Sequence, residues 1–246
     1  MDPIAEYCHS VTEAVRRIQS EQRDAMTAVA AMLADKVESG RSIYITGCSH
    51  SSIFAQEVYY RAGGFLLMNP ILLPGMTLDI RPVTLTSQYE RISGIAEAVL
   101  SGSPIRAGDV LFIASVSGRN DVPVEMALWA RDQGISVVAL TSMAYSGAVT
   151  SRHASGLRLF EVANFVLDLM CPEGDAVLDI AGLPVKTGAI STVTGITMMH
   201  AVISETLRLL VERGMTPPVF MSGNRDGGDD YNRALLAQYR SQIHYM

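Results

Sequence analysis

The sequence predicts an α/β fold built on buried parallel strands, and three observations lead there. Residues 42–46 (SIYIT), 110–114 (VLFIA) and 135–140 (ISVVAL) are short and apolar on both faces, as strands covered on both sides are. The first two run straight into turns of glycine and serine, GCSHSS and SVSGRN, and each turn opens a helical segment. Residues 109–142 read as one complete β-α-β unit. In it Pro123 and Glu125 suit a first helical turn, Gly134 stops the helix, and the second strand ends in the hydroxyls of Thr141 and Ser142.

In chain order, residues 4–38 lack proline and glycine and space apolar residues three to four apart, which predicts one or two helices. They precede the first strand and form an arm packed on the domain or on a second subunit. After the first turn a helix runs from about 53 to 62, and Gly63 and Gly64 stop it. Residues 65–73 supply a strand broken near Pro70, 74–85 a loop, and 90–100 a helix. Past the central unit come a helix near 144–151, a polar turn at 152–156 and a strand at 165–169. Residues 171–188 read as an excursion holding a small hairpin. The last long helix covers 189–213, with Ser191 or Thr192 as its cap and Gly214 at its end. The remaining tail carries a short helix from about Asp230 and is a docked arm or a partly mobile segment.

Composition narrows the function. The 246 residues are 48% hydrophobic and 18% charged, ordinary values for one globular domain with or without arms. A net charge of -6 argues against a broad nucleic-acid surface, so any anion is bound locally. Cys8, Cys48 and Cys171 show no paired spacing, which indicates neither a zinc site nor a disulfide framework and suits a reducing cytoplasm. The N-terminus lacks a signal pattern, and the most apolar run, 65–73, is too short to cross a membrane. Neither turn has the glycine spacing of a dinucleotide site or the G-K-[ST] of a P-loop, so no cofactor and no metal are expected.

What the turns do suit is a tetrahedral anion. The first N–H groups of a helix lack intrahelical partners, the helix dipole adds positive charge, and hydroxyls donate without bulk. Serines at strand ends also cap helices, but two turns of the same design favour the anion.

These turns carry a resemblance. GCSHS at 47–51 is similar to the G-x-G-x-S loop of the SIS (sugar isomerase) domain family, with Ser49 in place of the second glycine. SVSGRN at 115–120 is similar to its S-x-S-G-x-[ST] loop, with Asn120 in place of the last hydroxyl. The strings HSSIFAQEVYYRAGG, SVSGRNDVPVEMA and PPVFMSGNRDGGDDYNR resemble a group of single-domain SIS proteins more closely still. The resemblance implies a three-layer α/β/α sandwich around a five-stranded parallel sheet at 41–214. Residues 1–40 are then a helical arm, and 215–246 a tail packed on the domain or a partner subunit. It implies a sugar phosphate, or a sugar with a similar tetrahedral anion, at the carboxyl ends of the strands. His50, Ser51, Ser52, Ser115, Ser117, Gly118, Arg119 and Asn120 would hold it, with Thr141 and Ser142 beside them.

The implied chemistry is aldose–ketose isomerisation, in which one group moves a proton between neighbouring carbons through an enediol and another handles ring opening and hydroxyl protons. Glu57, a turn and a half beyond Ser51, and His200, in the middle of the last helix, are the catalytic candidates. His200 matches a histidine of the phosphoheptose isomerases, whose metal-ligand histidine falls at Glu57 and whose catalytic glutamate falls at Arg61. Without the resemblance, His200 is a core histidine, Glu57 pairs with Arg61 at i,i+4, His50 caps a helix and Glu205 is a solvated charge. A lyase or etherase reaction and a non-catalytic sugar-phosphate sensor are the alternatives. A homo-oligomer, dimer or tetramer, is expected, since the arm lies outside the sheet unit and SIS domains commonly complete their sites across subunits.

Overall fold

The computed structural model describes residues 2–246; Met1, the first residue of the expected arm, lies outside them. Asp2 starts the first helix by accepting from the Ile4 N–H at 3.0 Å, and Pro3 fills the first helical position, where a missing N–H costs nothing. Helices α1 (Pro3–Glu21) and α2 (Arg23–Glu38) lead to strand β1 (Ile43–Gly47), a 3₁₀ turn (Ser49–Ser51) and helix α3 (Ser52–Val58). Then follow β2 (Met68–Ile71), α4 (Leu85–Tyr89), α5 (Ile95–Ser101), β3 (Val110–Ala114), α6 (Asp121–Asp132) and β4 (Ser136–Thr141). Helices α7 (Met143–Ala148) and α8 (Leu159–Val162), strand β5 (Phe165–Asp168) and the antiparallel hairpin β6 (Ala176–Leu178) and β7 (Thr187–Ala189) come next. The long α9 (Ser191–Glu212) and α10 (Gly228–Gln238) close the chain.

Strands β1 to β5 form one parallel sheet in the order β2-β1-β3-β4-β5, the three-layer architecture that the resemblance implied. Alternate residues of β3 show both layers. Val110, Phe112 and Ala114 join a core with α1, α2, α3 and α9, while Leu111 and Ile113 join a second core with α5, α6 and α8. The chain leaves β1 toward one edge of the sheet and β3 toward the other. The loops after these two adjacent strands therefore diverge, which opens a crevice at their carboxyl ends.

Several local expectations are corrected. Helix α3 ends at Val58 rather than near 62, because Tyr59 is extended and Tyr60 is left-handed at φ 45°. The helix expected at 90–100 begins at Ile95, since Gly94 takes φ 89° and gives its N–H to the Glu125 carboxylate at 2.7 Å. A short helix, α4, stands at the end of the expected loop. Strand β2 runs through Pro70 opposite Ile45, which an edge strand tolerates because its outward N–H side needs no partner. Helix α9 is capped neither by Ser191 nor by Thr192. Asp175, just before the hairpin, accepts from the Ile190 and Ser191 N–H groups at 3.2 and 2.8 Å and from the Ser191 hydroxyl at 2.6 Å.

The chain's last residues cover the β2 edge. Asn69 donates to the Gln242 carbonyl at 3.2 Å and accepts from the His244 N–H at 2.7 Å, His244 stacks on Tyr44, and the Tyr245 hydroxyl reaches the Leu66 carbonyl. Among the described residues no helix is long and apolar enough to cross a membrane.

Candidate functional site

The crevice is shaped first by two glycines. A Cβ on Gly47 would stand 2.3 Å from the Ser51 carbonyl oxygen, so the turn after β1 folds back this tightly only on glycine. Gly118 takes φ 57° in the turn after β3, with the Thr141 and Ser146 hydroxyls 3.1 Å from where its Cβ would be. Ser49 adopts a left-handed φ of 52° with a full side chain, a conformation that costs about 1–2 kcal/mol outside glycine. Its N–H is anchored on the Met76 carbonyl at 2.7 Å, and its hydroxyl is buried with no partner.

Between the turns lies a cleft of about 170 Å³. Cys48, Ser49, His50 and Ser51 line it from the first turn, Ser115, Val116, Ser117 and Asn120 from the second, with Glu90 and Tyr145 completing the wall. Among the described residues the hydroxyls of Ser49, Ser51, Ser115 and Ser117 make no hydrogen bond to the protein, and the N–H groups of Ser117, Gly118, Arg119 and Asn120 meet no acceptor. The other predicted hydroxyls differ. Ser52 donates to the Ser49 carbonyl at 2.7 Å, Thr141 to the Val116 carbonyl at 3.1 Å, and Ser142 to the Cys171 carbonyl at 2.6 Å while capping α7 through the Tyr145 N–H. These three shape the cleft from behind rather than face a ligand. Arg119 borders the cleft without lining it, with one guanidinium N–H on the Thr150 hydroxyl at 3.4 Å.

A second cavity, of about 420 Å³, shares His50, Ser51 and Val116 with the first and is closed by Phe54, Asp175, Ala189, Ser191 and Thr192. The two together make a polar niche opening into a wider space.

Glu57 and His200 are brought together. The His200 Nε2 lies 3.4 Å from a Glu57 carboxylate oxygen that also pairs with Arg61, and both side chains are half-buried. Burial, and after it the like charge of Arg61, hold the His200 imidazole below its usual range. Neither residue lines either cavity. The spacing still connects them to the niche: Ile53 and Glu57 share one side of α3, three and seven residues beyond His50 of the 3₁₀ turn, and Thr192, Ile196 and His200 share one side of α9. Glu205, half-buried like Glu57 but five residues past His200, pairs with Arg208 at 2.7 Å.

Comparison with known proteins fits this architecture. The model of the SIS domain matches residues 6–142, more than half of the chain. The chain belongs to the SIS domain family. A UPF0309 protein of Oceanobacillus iheyensis is 44% identical over 246 residues, all of both chains, and one of Streptomyces coelicolor is 43% identical over 244 residues, 99% of this chain and 97% of that one. Among solved structures, a phosphoheptose isomerase from Francisella tularensis superposes with a TM-score of 0.55 at 17% identity, covering 85% of this SIS domain protein and all of the other. The phosphoheptose isomerase of Neisseria gonorrhoeae gives 0.50 at 15% identity, covering 82% and 96%. At such identities these likenesses establish the fold.

Where the resemblance places a metal-ligand histidine, this SIS domain has Glu57 with Arg61 on its carboxylate. A guanidinium in that position opposes a cation, and among the described residues no three His, Cys, Asp or Glu side chains gather into a metal site. Sequence reasoning passed over Ser49 and Glu90 as lining residues. Ser49 had a signal, since it stands in a glycine position of the family loop; Glu90 had none, being about forty residues after the first turn and 25 before the second.

Proposed function

We propose that this SIS domain binds a phosphorylated sugar, with the phosphate in the cleft between the β1 and β3 turns, and interconverts its aldose and ketose forms. One observation carries the reading: four serine hydroxyls from two separate turns line one cleft and have no partner in the protein. Buried or half-buried donors left open are costly unless a ligand or water takes them. Neutral donors aimed at one point suit a tetrahedral oxyanion. The sugar then extends past His50 and Ser51 into the wider cavity and along the groove between α3 and α9. Glu57 lies six residues beyond Ser51, or about 9 Å along the helix axis, comparable with the length of an extended sugar phosphate. In this arrangement Glu57 moves the carbon-bound proton and His200 serves ring opening and hydroxyl protons, each through modest side-chain motion toward the groove. We further infer a homo-oligomer in which a second copy covers that groove; a monomer by light scattering at micromolar concentration counts against it.

Incubation with a panel of sugar phosphates in D2O, followed by NMR of the C2 proton, tests the reaction. Exchange with aldose–ketose conversion is the expected result, and exchange with elimination points to a lyase. Tight binding without exchange points to a sensor, a reading favoured by the absence of Glu57 and His200 from the cavity walls.

A further inference from the structure

Two arginines meet beside the anion cleft: Arg119 stands in the β3–α6 turn between the cleft residues Ser117 and Asn120, and Arg152, in the loop after α7, donates its backbone N–H to the Arg119 carbonyl at 2.8 Å, while Arg91, after α4, follows Glu90 of the cleft wall. They are close enough to feel one another. Partial desolvation of its guanidinium and then the like charges of Arg119 and Arg91 hold Arg152 below its usual range. Among the described residues none of the three forms a salt bridge, and the Arg119 Nε is buried without a partner. The acidic group that faces them is Glu90, which lines the cleft itself. Arg152 donates to the Asn120 side-chain oxygen at 2.7 Å, which leaves the Asn120 amide N–H groups for Glu90 and the cleft. Burial raises the Glu90 carboxyl above the usual carboxylate range, while Asn120, Arg91 and Arg152 act in the other direction.

Arg119 and Arg152 thus bring positive charge to the rim of a cleft whose donors are already arranged for an oxyanion, and Glu90 sets a carboxylate in its wall. We propose that Glu90, Arg119 and Arg152 form a charged ring around the ligand's tetrahedral anion, with Glu90 taking up a proton as the anion binds. The inference rests on the reading that this cleft holds the phosphate. Proton uptake follows from like charge: an anion arriving beside an already buried carboxylate disfavours its ionised form. The other groups facing Glu90 are Cys48 and His50 from the β1 turn and Tyr145 from α7. The Cys48 thiol is pushed well above its usual range by burial and stays neutral, and His50→Gln serves as the control for the one imidazole among these groups.

Calorimetric titration with inorganic sulfate separates these effects, because sulfate stays a dianion throughout and any pH dependence belongs to the protein. Sulfate and inorganic phosphate would be titrated into the wild type and into His50→Gln, Glu90→Gln and Arg152→Gln, between about pH 5 and 8. Two buffers of different ionisation heat give the protons taken up. The wild type and His50→Gln should take up protons and lose sulfate affinity as pH rises. Glu90→Gln should lose the uptake and the pH dependence, and Arg152→Gln should weaken sulfate by roughly tenfold or more. Arg152 is exposed, so its variant keeps the test open if Glu90→Gln fails to fold. Unchanged proton uptake in Glu90→Gln, or wild-type affinity in Arg152→Gln, overturns the ring alone. A wild type that binds neither anion overturns the reading of the cleft, and the ring with it.

Discussion

The anion cleft is assembled from backbone and short side chains at the ends of two adjacent strands, whereas Glu57 and His200 are long side chains on two helices that meet only where α3 packs on α9. In the cleft the position of each donor follows from sheet register, and a serine has one rotatable bond with which to miss its target. Across the helices, position depends on rotamers of Glu57, Arg61 and His200, each half-exposed and free to re-pair. On the proposed reading, binding geometry is built into the sheet, and reaction geometry is left to side chains that a ligand or a second subunit can still move.

Glu57→Gln and His200→Ala should have the largest effects. Each should lower turnover roughly 10²- to 10⁴-fold on the true substrate while leaving its affinity nearly unchanged, since the phosphate contacts come from other residues. Near-normal turnover in both, by the NMR exchange assay, would shift the reaction to groups lining the cleft. Ser117→Ala probes the other region. Losing one hydrogen bond to a charged group should weaken sugar-phosphate binding by about 1.5–3 kcal/mol in calorimetry, with thermal stability unaffected.

Ser49→Gly sharpens the contrast because two measurements should move in opposite directions. Relief of the left-handed backbone, less the added freedom of the unfolded glycine, should raise stability by roughly 0.5–1 kcal/mol in urea denaturation. Loss of the buried hydroxyl should at the same time weaken anion binding by severalfold. A variant that binds as well as the wild type would make Ser49 a structural residue only. The smallest effect concerns His200, whose imidazole should titrate below the ordinary histidine range by NMR and move upward in Arg61→Gln. Because its folded pKa is depressed, the native state binds fewer protons than the unfolded chain just below the unperturbed value of about 6.5. Its contribution to stability is therefore present above that value and is lost as pH falls through the depressed one.

Legibility in the sequence follows the same division. Strands β1, β3 and β4 and both turns were readable because each is a continuous local pattern: an apolar run, then glycine and hydroxyls, then a helix start. The hairpin at β6 and β7 was also visible from irregular glycines and prolines around one apolar run. What stayed hidden was made by distant partners. No rule of spacing tells that Asp175 caps α9, that Glu125 ties down Gly94 and delays α5, or that Glu90 faces Asn120. Nor does a list of serines tell free hydroxyls from engaged ones. Ser52, Thr141 and Ser142 read like Ser51 and Ser117 in the sequence, and only the carbonyls they bond separate them.

The way residues 242–245 lie against β2 bears on how the folded chain stays apart from its own copies. Gln242, His244 and Tyr245 bond Asn69 and Leu66 from more than 170 residues away in sequence, so one border of the sheet is covered by a segment foreign to the strands beside it. An exposed strand border is a template for pairing with another chain. Local detachment of that one segment, with the rest of the fold intact, is thus the opening through which two copies could pair edge to edge.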